Sequence, residues 1–454
     1  MIAPYPVKLI VVGAGLIGPR HAQHVHDNPI TELMAIIDPQ PDTKQIAQQL
    51  HTLHFPSISK FIEYCNSHKL PYPDGAIVCT PNHTHVKVAG ELASYGIHLL
   101  VEKPIGSTPE EAKSLKVYTS LKNVRVLVGH HRRFNPYIME AKRNLHKCGE
   151  IVGVQGSWML CKPQDYFDVA PWRTKSCAGG VLLINLVHDL DLLQFLFGPI
   201  HRIYAELLPK RRDHEADEGA ALTIKFKNGI SGTFICSDNV TSPFNFENAT
   251  GENPMIPHHN EINGIYRIFG SKGTLSLPDM TIFHQSHMKN STWLEPLLQE
   301  QIEFDVAKLP FDSQLNHFVD VIRGNEDPYC CIDDGISALL CIDAVLKSID
   351  TGMPVIVEDV KNIKSNDEAL TLKELRFHLS QTGEASIPVR KFLTNNYASL
   401  KTQSNYKLPI LIRESFGIPP SLTARFEKGR EVKNSLDGLD EAGVAKALAD
   451  ILKQ

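Results

Sequence analysis

The sequence lacks the cysteine arrangements that mark a disulfide framework or a cysteine-rich zinc module. Its 454 residues contain nine cysteines, no two of them form a Cys-x-x-Cys pair, and Cys330 and Cys331 are adjacent. An odd number of scattered thiols is typical of a chain that is kept reduced. Two histidine groups, at residues 21–26 and 258–261, have neither cysteine partners nor a ligand spacing. We therefore expect free thiols and no bound metal.

Long apolar runs and an excess of positive charge are also missing. No uninterrupted apolar stretch is long enough to span a bilayer, and the N-terminus shows no basic segment followed by an apolar core. The net charge of −5 gives no electrostatic reason to bind nucleic acid or an anionic membrane. We expect a cytoplasmic protein with small-molecule partners, and a nuclear share stays open.

The length of the chain indicates more than one domain. Residues 1–131 alternate between short apolar runs and polar helical stretches, which predicts an α/β domain with a doubly wound parallel sheet. Residues 132–362 contain an apolar helix over Gly179–Phe197 and then successive strands with a hairpin signal at Asn228-Gly229. This pattern predicts an α+β domain on a mainly antiparallel open sheet, whose closing helices over 313–351 pack back on the first domain.

Residues 363–454 form a polar C-terminal extension in which we find no motif. A charged helical stretch over Leu439–Leu452 ends it. We predict an additional helical appendage of unknown role, with partial disorder as the alternative.

A glycine-rich turn follows the first apolar run and opens a helix; it reads Gly13-Ala14-Gly15-Leu16-Ile17-Gly18. In this spacing the first glycine allows the tight turn, the second lets the backbone approach a pyrophosphate, and the third permits close helix–strand packing. The N-terminus of the helix supplies N–H groups and a positive dipole end for the phosphates. An ordinary glycine turn is the alternative, but the strand–turn–helix context favours a dinucleotide site.

Asp38 lies about twenty residues further on, at the end of the next predicted strand. A carboxylate at this place accepts hydrogen bonds from ribose hydroxyls and repels a 2′-phosphate. The following Pro39-Gln40-Pro41 offers no basic residue to hold that phosphate. We therefore predict NAD as the cofactor, and NADP as the less favoured alternative.

Lys103 and His188 are the predicted catalytic pair. Oxidation of an alcohol needs a base near neutral pKa, which suits His188, and a cation on the same oxygen, which suits Lys103 in Glu102-Lys103-Pro104. The alternatives are a solvated lysine at a strand end and a histidine satisfied within an apolar helix.

Together these residues resemble the glucose–fructose oxidoreductase / inositol dehydrogenase / rhizopine-catabolism family of NAD(P)-dependent oxidoreductases. The resemblance extends from residue 7 to about residue 360. The motifs that carry it are Gly13–Gly18 with Arg20-His21-Ala22, Thr80-Pro81-Asn82-His83-Thr84-His85, Val101–Pro104, Gly129–Pro136, Trp172-Arg173, Gly179-Gly180 and His188–Leu193.

The resemblance implies a Rossmann domain and an α+β domain whose open sheet forms a homo-oligomer contact. It places four residues along the cofactor, namely Thr80, Pro81, Asn82 and His85, and it puts Glu102 and Lys103 at the nicotinamide ribose. Trp172 and Arg173 are similar to a pair that reaches the cofactor or substrate. The residue that matches Pro104 often follows a cis peptide bond.

One departure from the family pattern concerns the substrate. Many members have an aspartate four residues before the histidine, where this chain has Ile184, followed by Asn185. An asparagine can orient a sugar hydroxyl but cannot act as a carboxylate base. We expect Arg133, Asn185 and His188 near the substrate.

The sequence therefore predicts an NAD(P)-dependent dehydrogenase for a hydroxyl of a sugar, polyol or related cyclic alcohol. Two alternatives stay open. One is a non-redox enzyme, similar to some glycosidases, that uses bound NAD transiently. The other is a catalytically inactive regulatory protein that senses the cofactor.

Overall fold

In a computed structural model of the chain, the structure describes residues 5–176, 179–288, 290, 292–306, 309–363, 372–403, 408–426 and 431–451. The chain divides into two compact units, Met1–Ile363 and Lys364–Gln454. Each unit has its own cluster of buried apolar side chains. Within the described ranges, no helix is long and apolar enough to cross a membrane.

The first unit begins with a six-stranded sheet of order β3-β2-β1-β4-β5-β6, in which all neighbouring strands are parallel. Its elements are β1 (Val7–Val12), α1 (Gly18–Asp27), β2 (Thr31–Ile37), α2 (Lys44–Gln49), β3 (Leu53–Phe55), α3 (Ile58–His68), β4 (Gly75–Val78), α4 (His85–Ser94), β5 (His98–Val101), α5 (Pro109–Leu121) and β6 (Val126–Val128). The predicted doubly wound sheet is confirmed. Its strand order reverses between β1 and β4, and such a switch point is where open α/β sheets bind ligands.

The rest of the first unit is built on a nine-stranded sheet of order β14-β13-β12-β11-β7-β10-β9-β8-β15. Its elements are α6 (Pro136–Asn144), β7 (Ile151–Met159), α7 (Gln164–Asp168), α8 (Val187–Phe197), β8 (Ile200–Leu207), β9 (Gly219–Phe226), β10 (Ser231–Ser237), α9 (Phe246–Thr250), β11 (Tyr266–Gly270), β12 (Gly273–Leu277), β13 (Thr281–His284), β14 (Leu298–Gln301), α10 (Pro310–Arg323), α11 (Ile332–Thr351) and β15 (Val355–Ile356). Only the β7–β10 pair is parallel among these strand pairs. The mainly antiparallel sheet is confirmed.

The apolar helix predicted over Gly179–Phe197 has two parts. Leu182–Leu186 is a π-helical segment, and α8 follows it directly. In a π turn the backbone hydrogen bonds move from residue i+4 to residue i+5, so a carbonyl at the junction with an α-helix is freed for another donor. Ile184 lies in this segment, four residues before His188.

Helices α10 and α11 both contact the Rossmann elements. His24 of α1 lies 2.5 Å from the Asp312 carboxylate, and the Phe311 ring stacks near the guanidinium of Arg20 at 4.0 Å. At α11, Lys116 of α5 pairs with Asp333 at 2.5 Å. The two sheets of the first unit are therefore joined by helices as well as by the chain connection.

The second unit is not the helical appendage that the sequence predicted. Its elements are β16 (Leu372–Leu379), α12 (Ile387–Gln403), β17 (Ile410–Glu414), β18 (Ser421–Phe426), β19 (Glu431–Ser435) and α13 (Glu441–Ile451). The strands form a sheet of order β17-β16-β18-β19, and the residues of both helices share one core with it. The strands escape prediction because only one face of the sheet is buried, so polar and charged residues stand between the apolar ones, and β19 has a single apolar residue, Val432.

Candidate functional site

The glycine turn lies at the carboxyl end of β1, at the switch point of the parallel sheet. Gly13 has a φ of +93°, and a Cβ there would lie 2.7 Å from the backbone of Cys79 and Thr80. A Cβ on Gly18 would overlap the carbonyl oxygen of Gly13. A Cβ on Gly15, by contrast, would meet no atom of the other described residues within 4 Å, apart from its chain neighbours. Gly13 and Gly18 thus serve packing, and Gly15 leaves the backbone open to an approaching group.

Asp38 is buried at the end of β2 and faces this turn. Its Oδ2 accepts the N–H of Ala14 at 2.7 Å, and its Oδ1 accepts the N–H of Gln40 at 2.8 Å. Each carboxylate oxygen keeps a lone pair for a further donor. These two hydrogen bonds thereby fix the carboxylate beside the glycine turn.

These residues fit a dinucleotide. The first turn of α1 has no side-chain cap and no acidic residue, so its end keeps its positive dipole for a phosphate. Leu16 is exposed and Ile17 partly buried, on the outer side of the turn. The loop after β4 lies at the same edge of the sheet and contains Thr80, Pro81 and Asn82.

His85 connects two loops at this edge. Its ring nitrogens lie 2.7 Å from the carbonyl oxygens of Thr80 and Pro104, and the side chain is buried. The ring therefore holds the loop after β4 against the loop after β5. Direct contact between His85 and a cofactor stays a prediction.

Glu102 has a partner that sequence reasoning missed. His21 of α1 lies 2.9 Å from Glu102 Oε1, and the N–H of Lys103 donates to Oε2 at 3.1 Å. Burial by itself would raise the pKa of Glu102, but the hydrogen bond and charge of His21, together with Lys103, lower it to about 2. Glu102 is thus a fixed anion beside the lysine, and the Arg20-His21-Ala22 motif was the signal for it.

Lys103 follows β5, and the Lys103–Pro104 peptide is cis, as the resemblance implies. Its Nζ donates to the carbonyl oxygen of Ile184 at 2.9 Å, in the π-helical segment. Burial lowers the pKa of Lys103 to about 8, and the charges of Arg132 and Lys162 act in the same direction. The side chain of residue 184 plays no part in this contact, because the acceptor is main chain.

His188 lies in the first turn of α8, buried among other histidines. The rings of His130 and His131 meet it edge-on, with centroids at 5.6 and 5.1 Å. Burial holds the pKa of His188 well below its ordinary value, and Lys103 and Arg132 add to the effect. Its Nδ1 is buried without a hydrogen-bond partner among the described residues. His188 is therefore neutral at physiological pH, which is the form that accepts a proton.

Asn185 contacts a lysine that the sequence did not single out. Lys162 Nζ donates to Asn185 Oδ1 at 2.7 Å and lies 3.1 Å from Asp238 Oδ2. Because the amide oxygen faces Lys162, the NH₂ group of Asn185 is turned toward other partners. No sequence signal marks Lys162, because its partners lie elsewhere in the chain. Asn185 is in the π-helical segment before α8, and Asp238 follows β10.

The two arginines after β6 have different surroundings. Arg133 binds Asp191 with two parallel hydrogen bonds of 2.8 and 2.6 Å and donates to the carbonyl of Tyr329. Arg132 binds Glu247 at 2.6 Å and Glu252 at 2.8 Å. The geometry gives Arg133 a structural role in tying its loop to α8, and its contact with substrate stays a prediction.

Trp172 and Arg173 lie in a short 3₁₀ segment over Pro171–Thr174. Arg173 is buried; its Nη1 donates to the Tyr166 carbonyl at 2.5 Å, and its guanidinium carbon lies 4.0 Å from the centre of the Tyr166 ring. Trp172 is half exposed. Their contact with the cofactor or substrate also stays a prediction. In the described part of the chain, no group of three or more His, Cys, Asp or Glu side chains is placed to hold a metal ion.

Two family models match the first unit. Residues 7–130 match the oxidoreductase family's NAD-binding Rossmann fold, and residues 142–357 match the C-terminal alpha/beta domain of the same family. The chain is 22% identical over 352 residues to inositol 2-dehydrogenase of Rhizobium meliloti, a match that covers 76% of this chain and 97% of that protein. It is also similar in fold to a crystal structure of scyllo-inositol dehydrogenase from Lactobacillus casei with bound NAD(H) and scyllo-inositol. That match has a TM-score of 0.61 at 19% identity, and it covers 78% of this chain and 99% of the other.

A separate comparison concerns the second unit. Residues 389–441 match the mitochondrial ribosomal protein L51 / S25 / CI-B8 domain. The chain is 47% identical over 83 residues to NADH dehydrogenase [ubiquinone] 1 alpha subcomplex subunit 2 of Arabidopsis thaliana, which covers 18% of this chain and 84% of that protein.

Proposed function

Because the chain belongs to the oxidoreductase family with an NAD-binding Rossmann fold, and its second unit to the L51 / S25 / CI-B8 family, we propose a dehydrogenase joined to a docking unit. The first unit oxidises a hydroxyl of a sugar, polyol or related cyclic alcohol with NAD. The observation that carries this proposal is a neutral histidine, His188, close to a buried lysine, Lys103, at the edge of the sheet that bears the glycine turn.

The roles of the residues follow from their charge states. Bound NAD would supply the hydride acceptor for the carbon that carries the hydroxyl. Neutral His188 takes the hydroxyl proton, and the Lys103 ammonium donates a hydrogen bond to the oxygen on which negative charge develops. Glu102, fixed by His21, accepts the backbone N–H of Lys103 and so holds the start of the loop that carries the lysine. Arg132 and Glu252 form a buried ion pair, and the charge of Arg132 helps to keep His188 neutral.

Asp38 supports NAD over NADP. Its carboxylate is fixed by two backbone N–H groups, and a 2′-phosphate on the ribose would meet this negative charge. We propose NAD as the working cofactor and NADP as the poorer one.

The first experiment follows reduced nicotinamide while the purified chain, with NAD or NADP, meets a panel of sugars, inositols and hydroxy acids. Net reduction with NAD supports the dehydrogenase. Product without net reduction indicates transient use of the cofactor, and cofactor binding without any turnover indicates a sensor.

Variants at the two catalytic residues test their roles. Lys103→Met and His188→Gln should each lower kcat by about 10²-fold or more, since each removes a group that acts on the reacting oxygen. The affinity for NADH should change little. His259→Gln, an exposed histidine, is the matched control. Wild-type turnover in either active-site variant contradicts the assigned role.

A second candidate function belongs to the second unit. Its likeness to the Arabidopsis subunit supports the proposal that it docks the dehydrogenase onto a respiratory NADH dehydrogenase assembly. Both helices cover one face of its sheet, and the other face bears both basic and acidic side chains. Arg376 is paired there with Glu374 and Glu431, whereas His378, Arg413 and Lys433 have no carboxylate partner among the described ion pairs, and Arg413 lies opposite His378 in the sheet.

This docking proposal favours mitochondria over the cytoplasmic location expected from the sequence. Fractionation of cells that express the tagged chain, followed by native electrophoresis of mitochondrial membranes, measures whether it migrates with the NADH dehydrogenase. The double charge reversal Arg413→Glu/Lys433→Glu should abolish co-migration, and Lys60→Glu in the first unit should not. A homo-oligomer through the nine-stranded sheet stays a prediction, which the sedimentation of the free chain tests.

A further inference from the structure

Lys162 is a buried cation in the candidate site that the catalytic roles above do not use. It follows β7, where Cys161 forms an isolated bridge with Asn239, and only 9% of the residue is exposed. Its Nζ contacts Asn185 Oδ1 and Asp238 Oδ2. An ammonium has three N–H donors, so one donor of Lys162 is left for another partner.

Asp238 neutralises only part of the positive charge around it. Arg212 Nη1 binds the same carboxylate at 2.7 Å, so one anion serves two cations. Glu218 does not contact Lys162, because its oxygens accept the backbone N–H groups of Arg211 and Arg212 and the amide of Asn239. Lys162 therefore keeps a share of unbalanced charge.

Arg173 adds a second cation on the same ring as Lys162. The Tyr166 ring has Lys162 Nζ 4.9 Å and the Arg173 guanidinium carbon 4.0 Å from its centroid. Arg173 Nε is buried without a hydrogen-bond partner, and the described residues place no carboxylate oxygen within 4.0 Å of this guanidinium. A buried cation without an anion is unfavourable, and the arrangement is relieved when a ligand supplies one.

Lys103 is a third cation in this part of the site, beside the proposed position of the reacting hydroxyl. Its ammonium has the Ile184 carbonyl as its hydrogen-bond acceptor, and the described residues place no carboxylate oxygen within 4.0 Å of it. Lys103 and Lys162 contact adjacent residues of the π-helical segment, the first at the Ile184 carbonyl and the second at the Asn185 side chain. The groups around Asn185 are thus mainly donors, and an acceptor-rich ligand matches them.

We propose that the substrate is a carboxylate-bearing hydroxy compound, a sugar acid or related hydroxy acid, and that Lys162 binds its carboxylate with Arg173 beside it. The reacting hydroxyl then lies at Lys103 and His188. This inference rests on the proposed dehydrogenase and names its substrate class.

The test compares matched neutral and acidic substrates. Turnover with NAD is measured for galactose against galacturonate, for glucose against glucuronate, and for glucose 6-phosphate as a different anion. The acid should exceed its neutral partner in kcat/KM by about tenfold or more, because a charge-assisted contact is added. Equal or better turnover of the neutral partner, or a preference for the phosphate, overturns the proposal.

Variants separate a binding role from a structural one. Lys162→Met should raise KM for the acid by about 10- to 100-fold and lower the acid-to-neutral ratio of kcat/KM by about tenfold or more, and Lys162→Arg should keep most of the preference. Asp238 keeps its ion pair with Arg212 in both variants, so neither substitution leaves this buried carboxylate without a cation. Lys147→Met, which loses an exposed pair with Glu300, is the control. An equal loss for acid and neutral sugar in Lys162→Met overturns the proposal.

A binding measurement distinguishes failure of this inference from failure of the dehydrogenase proposal. Calorimetry titrates galacturonate and glucuronate into the chain saturated with NADH. If nothing in the panel is turned over but the acids bind the wild type and not Lys162→Met, the anion site stands and the redox role fails. If neutral polyols are oxidised and the acids neither bind nor react, the redox role stands and the anion site fails.

Discussion

At the scale of single residues, burial lowers the pKa of both His188 and Lys103, yet the two groups differ in protonation state at neutral pH. His188 loses its proton easily and stays neutral through the physiological range. Lys103 keeps its proton near neutral pH but has a pKa of about 8. The pair is thus in the state suited to alcohol oxidation over a limited interval of pH.

The pH dependence of oxidation tests this assignment. The ammonium of Lys103 is required, so kcat/KM should fall as pH rises through about 8, where the lysine deprotonates. Since the pKa of His188 is lowered, activity should persist below pH 6.5. Lys103→Arg should move the alkaline limb upward, because a guanidinium stays charged. An alkaline limb that is the same in Lys103→Arg contradicts the assignment.

Asp38 gives a prediction about cofactor choice. Removing its charge should weaken discrimination between NAD and NADP by about tenfold, or about 1.4 kcal/mol, since the repulsion of the 2′-phosphate is lost. Steady-state kinetics with both cofactors measures the effect for Asp38→Asn. Asp42→Asn, an exposed neighbour, should leave the ratio unchanged.

Single residues differ in how far the sequence could predict them. Gly13, Asp38 and Lys103 were found because a motif with a fixed spacing surrounds each of them. Lys162 was missed, because its partners lie far away in the chain and only the fold brings them together. The distinct surroundings of Arg132 and Arg133 were missed for the same reason.

At the scale of elements, hydrogen bonds hold the segment around α9 in place. Glu247 lies within α9 and Glu252 lies just after it, and both bind Arg132. Trp158 donates to Glu247 at 2.9 Å, and the Glu252 carbonyl accepts from Arg20 of α1. The segment therefore joins the nine-stranded-sheet domain to the first helix of the Rossmann domain.

Glu252→Gln measures what this contact contributes. Loss of one charge from a buried pair should lower the free energy of unfolding by about 3 kcal/mol. Burial would raise the pKa of Glu252, but Arg132 holds it below its ordinary value, so its contribution is present above that value and is lost as pH falls. The variant should accordingly be less sensitive to acid. Denaturant unfolding at several pH values measures both effects, and Glu261→Gln, which is exposed, should behave as wild type.

Elements were predictable where their pattern was simple. The buried strands of the parallel sheet are short continuous apolar runs and were found, apart from β3, which has three residues and little burial. Strand β7 was missed because two glycines and exposed polar residues interrupt its pattern. The π-helical segment has no sequence signal that distinguishes it from an α-helix.

At the scale of the whole molecule, the chain consists of two units with separate cores. The proposed catalytic groups, Lys103 and His188, both lie in the first unit, and the family of the second unit was not recognised from the sequence. Its strands have one polar face each, and the chain offers no catalytic motif there by which a family could be identified.

Truncation after Ile363 tests the independence of the first unit. Since its core is complete without the second unit, the truncated chain should fold and retain kcat/KM within about twofold. Calorimetry should show that one of the transitions of the full chain has disappeared. A truncated chain that aggregates, or that loses turnover more than about tenfold, would show that the two units depend on each other.

The contact between Lys103 and the carbonyl of Ile184 has an evolutionary consequence. A main-chain acceptor is present whatever side chain occupies the position, so point mutations at residue 184 cannot delete it. The contact therefore does not depend on which side chain stands at position 184. What it cannot tolerate is a single-residue deletion within Leu182–Leu186, which would restore regular helical phase and withdraw the acceptor.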